Sequence, residues 1–214
     1  CKFIVYCTMT KAEFLANLKQ KMQEDMSLPL RVGATNLVFG EGSPDSEIFF
    51  LGEGPGYWED QKGRPFVGNA GILLNQSLAA INILREDVFI TNVVCFRPPE
   101  NRDPEDFEIA AYAPYIDEMI KIIEPKMIVT LGRFSMGKFF PGVRISSVHG
   151  QVHKVNLNGR EVVVVPMYHP AAALRSGEVM RQFKEDFNKL PNVFTEMNKK
   201  EEVKKPEPEQ MQLI

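Results

Sequence analysis

Ile48-Phe49-Phe50-Leu51-Gly52-Glu53-Gly54-Pro55-Gly56-Tyr57-Trp58-Glu59-Asp60, with Gly63-Arg64-Pro65-Phe66-Val67-Gly68 close behind, is the stretch on which the reading of this chain turns. It opens with a short apolar run that stops abruptly at glycine and proline, the pattern of a buried strand. A glycine-rich loop follows before a helical pattern starts near Asn69. In an α/β sheet the loop beyond the carboxyl end of a strand is where ligands sit. Glycines there permit positive φ and close approach of backbone N–H groups to a ligand. Glu53 and Glu59 add carboxylates to the same rim and Phe66 an aromatic face, so the loop reads as a site candidate.

Upstream, Phe14, Leu15, Leu18 and Met22 recur at helical spacing from Thr10 to about Met26, with Thr10 as N-cap and Glu13 three residues on. Leu37-Val38-Phe39 is expected as a short strand and Glu41 to Asp45 as a turn. Downstream, Asn69 to Leu84 reads as an amphipathic helix and Val88 to Val94 as a second buried strand. That strand runs into a proline-stiffened loop, Arg97 to Pro104. A helix over Glu105 to Ile123, a strand over Met127 to Leu131 and a short helix over Phe134 to Phe140 come next. Gln151 to Asn156 and Arg160 to Pro166 flank Leu157-Asn158-Gly159 as a hairpin. Tyr168 to Arg175 is a loop, and Gly177 to Leu190 the last helix. Strands alternating with helices imply a mainly parallel sheet covered on both faces.

With 214 residues, 44% apolar and 25% charged, the chain has the make-up of a single globular domain. Residues 9–195 read as that domain, 1–8 as an extra segment ahead of it, and 196–214 as a disordered charged tail. No apolar run reaches the length of a membrane span, and no targeting segment is seen. A net charge of −3 argues against a broad nucleic-acid-coating surface and leaves room for a local basic groove. Cys1, Cys7 and Cys95 form neither a disulfide framework nor a metal-type cluster, which points to a reducing compartment.

Three strand-end loops stand out: Gly52-Glu53-Gly54-Pro55-Gly56, Thr91-Asn92 and His169-Pro170. Together with Gly63-Arg64-Pro65-Phe66-Val67-Gly68 and the Arg97-Pro98-Pro99-x-Asn101-Arg102 loop, they resemble the uracil-DNA glycosylase superfamily, most closely its family-four branch. Any one motif is common, but all five lie in register over roughly residues 28–190. The resemblance implies a three-layer α/β/α sandwich with a mainly parallel four-stranded central sheet. It implies a monofunctional DNA-repair enzyme of base excision, a monomer, cytoplasmic or nucleoid-associated. Such enzymes flip uracil out of single- or double-stranded DNA and hydrolyse its bond to deoxyribose.

On that resemblance, Phe66 would stack on the flipped base. Asn92 would offer its carbonyl to uracil N3–H and its NH₂ to O4, a pattern that cytosine reverses. His169 would donate to uracil O2 as charge builds on the departing base. Glu53 and Gly54 would line the pocket through backbone N–H groups, and Glu59 would sit on its rim. Faster relatives carry an aspartate for the attacking water where this chain has Gly54, so Glu53 or the backbone would hold the water. Arg97, Arg102 and Arg175 would hold phosphates, and Leu174 would wedge into the duplex. Plainer readings exist: Phe66 as core packing, Asn92 as a turn residue, Glu59 as a solvated carboxylate, the arginines as salt-bridge partners. His149 and His153 read as structural or surface residues.

Family-four enzymes typically hold an iron–sulfur cluster on four cysteines. Here those places fall on Asp25, Leu28, Phe96 and Ala111 or Tyr112, with Cys95 one residue out of register. No cluster, metal or other cofactor is therefore expected. Leu28, Phe96 and Tyr112 should pack in its place, with Cys95 a structural thiol. Two rival readings use the same fold: a non-catalytic DNA- or polymerase-binding module, and a glycosylase for hypoxanthine or xanthine. Gln210-Met211-Gln212-Leu213-Ile214 resembles a sliding-clamp-binding peptide without the usual aromatic anchor.

Overall fold

The computed structural model describes residues 9–204, apart from the side chains of residue 198 and residues 200–204. The segment 1–8, with Cys1 and Cys7, and the clamp-like peptide 210–214 lie outside the described residues. The chain opens with α1 (Lys11–Glu24), whose N-terminus closes as a reciprocal capping box between Thr10 and Glu13. The sheet strands are β1 (Glu41–Gly42), β2 (Ile48–Gly52), β3 (Phe89–Asn92), β4 (Met127–Leu131), β5 (His153–Leu157) and β6 (Arg160–Met167). Between and after them run α2 (Tyr57–Lys62), α3 (Asn69–Ala80), α4 (Asp106–Ile123), α5 (Arg133–Gly137), α6 (Ile145–Val148), α7 (Pro170–Ala173) and α8 (Gly177–Lys204).

The sheet order is β1-β3-β2-β4-β6-β5. Strands β3, β2, β4 and β6 are mutually parallel, as expected, and an antiparallel strand closes each edge. Side chains alternate along β2 between two cores. Phe49 and Leu51 pack with Leu18 and Met22 of α1 and Tyr112 and Ile116 of α4. Ile48 and Phe50 pack with Leu74 and Leu78 of α3 and Phe187 of α8. Each such side chain contributes about 1.5–3 kcal/mol on burial, so the one strand welds both layers together. Connections leave β2 toward β3 and β4 toward β6, in opposite directions along the sheet. This makes the β2/β4 boundary a switch point where loops part and leave a crevice.

Several elements differ from the sequence reading. Leu37-Val38-Phe39 is not a strand, although the Val38 N–H donates to the Cys95 carbonyl (2.8 Å). Instead the strand lies at Glu41–Gly42, within the segment read as a turn, and its two residues are too few to show a period. Tyr57–Lys62 and Pro170–Ala173, read as loop, are short helices. The last helix passes Pro191 and reaches Lys204, so the tail boundary drawn at residue 196 falls inside it. Val193, Phe194 and Met197 pack against the second core and carry the helix beyond the proline. Among the described residues, no helix is long and apolar enough to cross a membrane.

Candidate active site

The carboxyl ends of the parallel strands deliver the candidate residues to one place. Glu53 and Gly54 follow β2, Asn92 ends β3, and His169 follows β6. With Glu59 and Phe66 they line a single cavity of about 280 Å³. Residues far apart in the chain thus meet because their strands are neighbours in the sheet.

Phe66 sits in a left-handed backbone conformation (φ +51°) and is almost wholly buried. Two glycines make room for it. A Cβ on Gly52 would lie 2.6 Å from the Phe66 ring, and one on Gly71 would lie 1.9 Å from the Phe66 carbonyl. Glu59 Oε1 accepts from the N–H groups of Val67 (2.8 Å) and Gly68 (2.7 Å) and so braces the loop that presents the ring. Arg85 adds a bond to the Pro65 carbonyl (2.7 Å). Glu59 is therefore neither merely solvated nor free to hold a ligand with that oxygen. The Phe66 and His169 rings lie in contact, centroids 5.6 Å apart, which leaves no room for a base between the two.

Asn92 is buried, and its Oδ1 has no hydrogen-bond partner. A buried, unpaired carbonyl oxygen costs about 1–3 kcal/mol, so its presence in a cavity wall calls for a ligand donor. The His169 Nδ1 accepts from the Ala171 N–H (3.1 Å) at the start of α7. With that lone pair engaged, the neutral ring carries its proton on Nε2. Burial, reinforced by the positive charge of Arg175, pushes the His169 pKa down to about 4. At neutral pH this residue is thus an uncharged N–H donor.

Glu53 Oε1 accepts from the Phe134 N–H (3.1 Å) at the start of α5. Burial raises the pKa of this carboxyl, and that bond with the nearby Arg133 charge pulls the other way. Arg175 lines the cavity, whereas Leu174 stands half exposed just outside it. The two other arginines are less free than expected of phosphate clamps. Arg102 lines the cavity but grips the buried Glu108 with two bonds (2.6 and 2.8 Å). Arg97 donates to Asn101 (2.7 Å) and lies over the Tyr57 ring.

His149, read from the sequence as a structural or surface residue, bonds through Nδ1 to the buried Asp186 Oδ2 (2.6 Å), and Lys189 donates to Asp186 Oδ1 (2.8 Å). Its ring packs on Tyr168 (4.6 Å between centroids), the residue preceding His169. Gly150 is obligatory beside it, since a Cβ there would lie 2.0 Å from Asp186 Oδ1. No local signal in the sequence announces this brace, because Asp186 is 37 residues away from His149.

The positions corresponding to iron–sulfur ligands do not suit a cluster. Leu28, Phe96 and Tyr112 belong to one buried apolar core, and the Tyr112 hydroxyl donates to the Pro29 carbonyl. Asp25 accepts from Ser27 and from the Tyr115 hydroxyl. Cys95 is buried, which pushes its thiol up to about 12 and keeps it protonated. Among the described residues, no three metal-binding side chains of His, Cys, Asp or Glu come together.

Residues 39–191 match the family described as the uracil DNA glycosylase superfamily. The chain is 50% identical over 164 residues to the Type-4 uracil-DNA glycosylase of Sulfurisphaera tokodaii, covering 73% of this chain and 74% of that one. It is 40% identical over 183 residues to the enzyme of that name from Archaeoglobus fulgidus, covering 83% and 92%. The Type-4 enzyme of Thermotoga maritima shows 40% identity over 183 residues, covering 84% and 94%.

Proposed function

Since the chain belongs to the uracil DNA glycosylase superfamily, we propose that its cavity receives uracil flipped out of DNA and that the protein hydrolyses the N-glycosidic bond, leaving an abasic site. The observation that carries this reading is the unpaired Asn92 Oδ1 in a cavity shared with a neutral, donating His169. Uracil N3–H supplies the donor that Asn92 lacks, and the Asn92 NH₂ bonds O4. Cytosine presents an acceptor at N3 and a donor at C4, which would leave buried groups unpaired, a mismatch that sites reject strongly.

As the bond to C1′ lengthens, the sugar takes on oxocarbenium character and negative charge collects on uracil O2. His169 Nε2–H donates to that oxygen, a contribution of about 3–4 kcal/mol for one donor of this kind. A cationic imidazole is not needed, since the bond strengthens as the charge develops. Phe66 gives the base an apolar border, and Glu53 orients the water that attacks C1′. Arg175 and Leu174 meet the strand outside the cavity. Arg102 shapes the wall through Glu108, and Arg97 acts by way of Tyr57 instead of as a free clamp. Every group the reaction needs lies within one chain, which supports action as a monomer on uracil-containing DNA. Residues 9–195 contain them all.

The test is incubation of the protein with a uracil-containing oligonucleotide, followed by alkaline cleavage at abasic sites. Strand breaks at uracil, much reduced in His169→Ala and Asn92→Ala, are expected. An intact uracil strand in the presence of folded protein would overturn the assignment. Cleavage at hypoxanthine in preference to uracil would move it to another base.

A further inference from the structure

We propose that Tyr57 and Trp58, together with Arg97, form a platform on which unpaired bases of the uracil-bearing strand stack outside the cavity. This rests on the uracil-excision reading above. Tyr57 and Trp58 are 48% and 57% exposed, side by side on α2, with ring centroids 5.1 Å apart at 77°. Scattered exposed apolar side chains are ordinary, but two large aromatics in contact form a patch. The patch abuts the cavity, because α2 starts directly after Pro55 and Gly56, which line it. On the other side, the Arg97 guanidinium lies 5.3 Å from the Tyr57 ring centre, and Arg97 Nε donates to Asn101, another lining residue. The Trp58 ring also borders the braced loop of Phe66, 3.7 Å from where a Gly68 Cβ would stand.

A strand that feeds one base into the cavity runs past its mouth, and this patch forms one side of that mouth. Aromatic faces beside an arginine suit that strand chemically. Stacking accepts any base, and the guanidinium adds cation–π attraction and charge complementary to phosphate. A chain with net charge −3 cannot hold DNA by a general positive field, so a local stacking surface has more to do. Tyr57 and Trp58 serve neither core, and neither touches the base or the sugar in the proposed chemistry.

Trp58 is the only tryptophan in the chain, so fluorescence excited at the red edge, where tyrosine does not absorb, reports on this patch alone. Titration of the whole protein with uracil-free oligothymidylate should quench its emission saturably, and a blunt duplex should quench it much less. By anisotropy of a dye-labelled oligothymidylate, a signal that survives loss of the tryptophan, Trp58→Ala should bind the single strand about 5- to 150-fold more weakly, the range for losing one stacked base, and Trp58→Phe should recover most of the affinity. In the same variants, KM for a long uracil-containing strand should rise with kcat held. Absence of quenching, or unchanged binding by Trp58→Ala while wild type excises uracil, would overturn the platform and leave the patch to a protein partner. Failure of wild type to excise uracil would instead sink the functional reading, and the quenching would still report on the platform.

Discussion

Replacing Asn92 by alanine should separate stability from activity. In the folded protein Asn92 Oδ1 is buried without a partner, a cost of about 1–3 kcal/mol. Alanine removes that cost and also loses packing of a small side chain beside the cavity, roughly 1 kcal/mol. The two nearly cancel, so Asn92→Ala should be as stable as the parent or more stable by up to about 2 kcal/mol. For a chain of this length that is a rise in Tm of about 0–8 °C. Activity should move the other way. Loss of the group that reads the base edge should lower kcat/KM on uracil-containing DNA by about 10²–10³, or roughly 3–4 kcal/mol. The assays are thermal unfolding and steady-state excision on the same preparations. A Tm lowered by more than about 4 °C would show that Oδ1 has a structural partner after all. Unaltered kcat/KM would remove Asn92 from the chemistry.

Gly52→Ala should act through crowding, since its Cβ would lie 2.3 Å from Asn92 Oδ1 and 2.6 Å from the Phe66 ring. A cost of about 1–3 kcal/mol in denaturant unfolding and at least a tenfold loss of excision are expected; unchanged rates would mean that the wall tolerates displacement. Because His169 has its pKa held at about 4, below the ordinary 6.5, the unfolded chain takes up this proton first as pH falls. Its contribution to stability is therefore present above about pH 6.5 and lost toward pH 4, amounting to about 3 kcal/mol. Excision should show no ionisation of His169 near pH 6.5, and an NMR titration of the imidazole with a midpoint there would contradict this. Glu59→Ala should cost about 2–4 kcal/mol in unfolding, since two N–H groups lose a charged acceptor, and Glu59→Gln should recover part of it. Equal stabilities for Glu59→Ala and the parent would show that the loop stands without its brace.

What the sequence revealed, and what it hid, follows from the range of each interaction. The parallel strands were legible because each is a dense apolar run ended by a breaker, and a site at their carboxyl ends follows from topology alone. Asn92 and His169 were found because they sit at those ends. Glu59 lies at the cavity as read, but its bracing of the Phe66 loop stayed hidden because its partners are backbone N–H groups, which no residue type announces. Arg102 looked free because Glu108 lies across the junction between a loop and α4, outside any helical spacing. The His149–Asp186 pair joins elements with no local relation, so only folding could disclose it. Strand β1 was too short to show alternation, and the end of α8 was hidden by the expectation that proline stops a helix.

The β5–β6 hairpin turns at Asn158 and Gly159, at the start of β6, while His169 follows that strand's other end. The turn thus occupies the pole of the molecule remote from the chemistry, and a Cβ on Gly159 would meet only open space. Exposed tips of this kind tolerate new termini and inserted domains. A tether or fluorophore grafted there would leave the mouth of the cavity facing outward, which makes this turn the natural handle for fixing the protein to a surface.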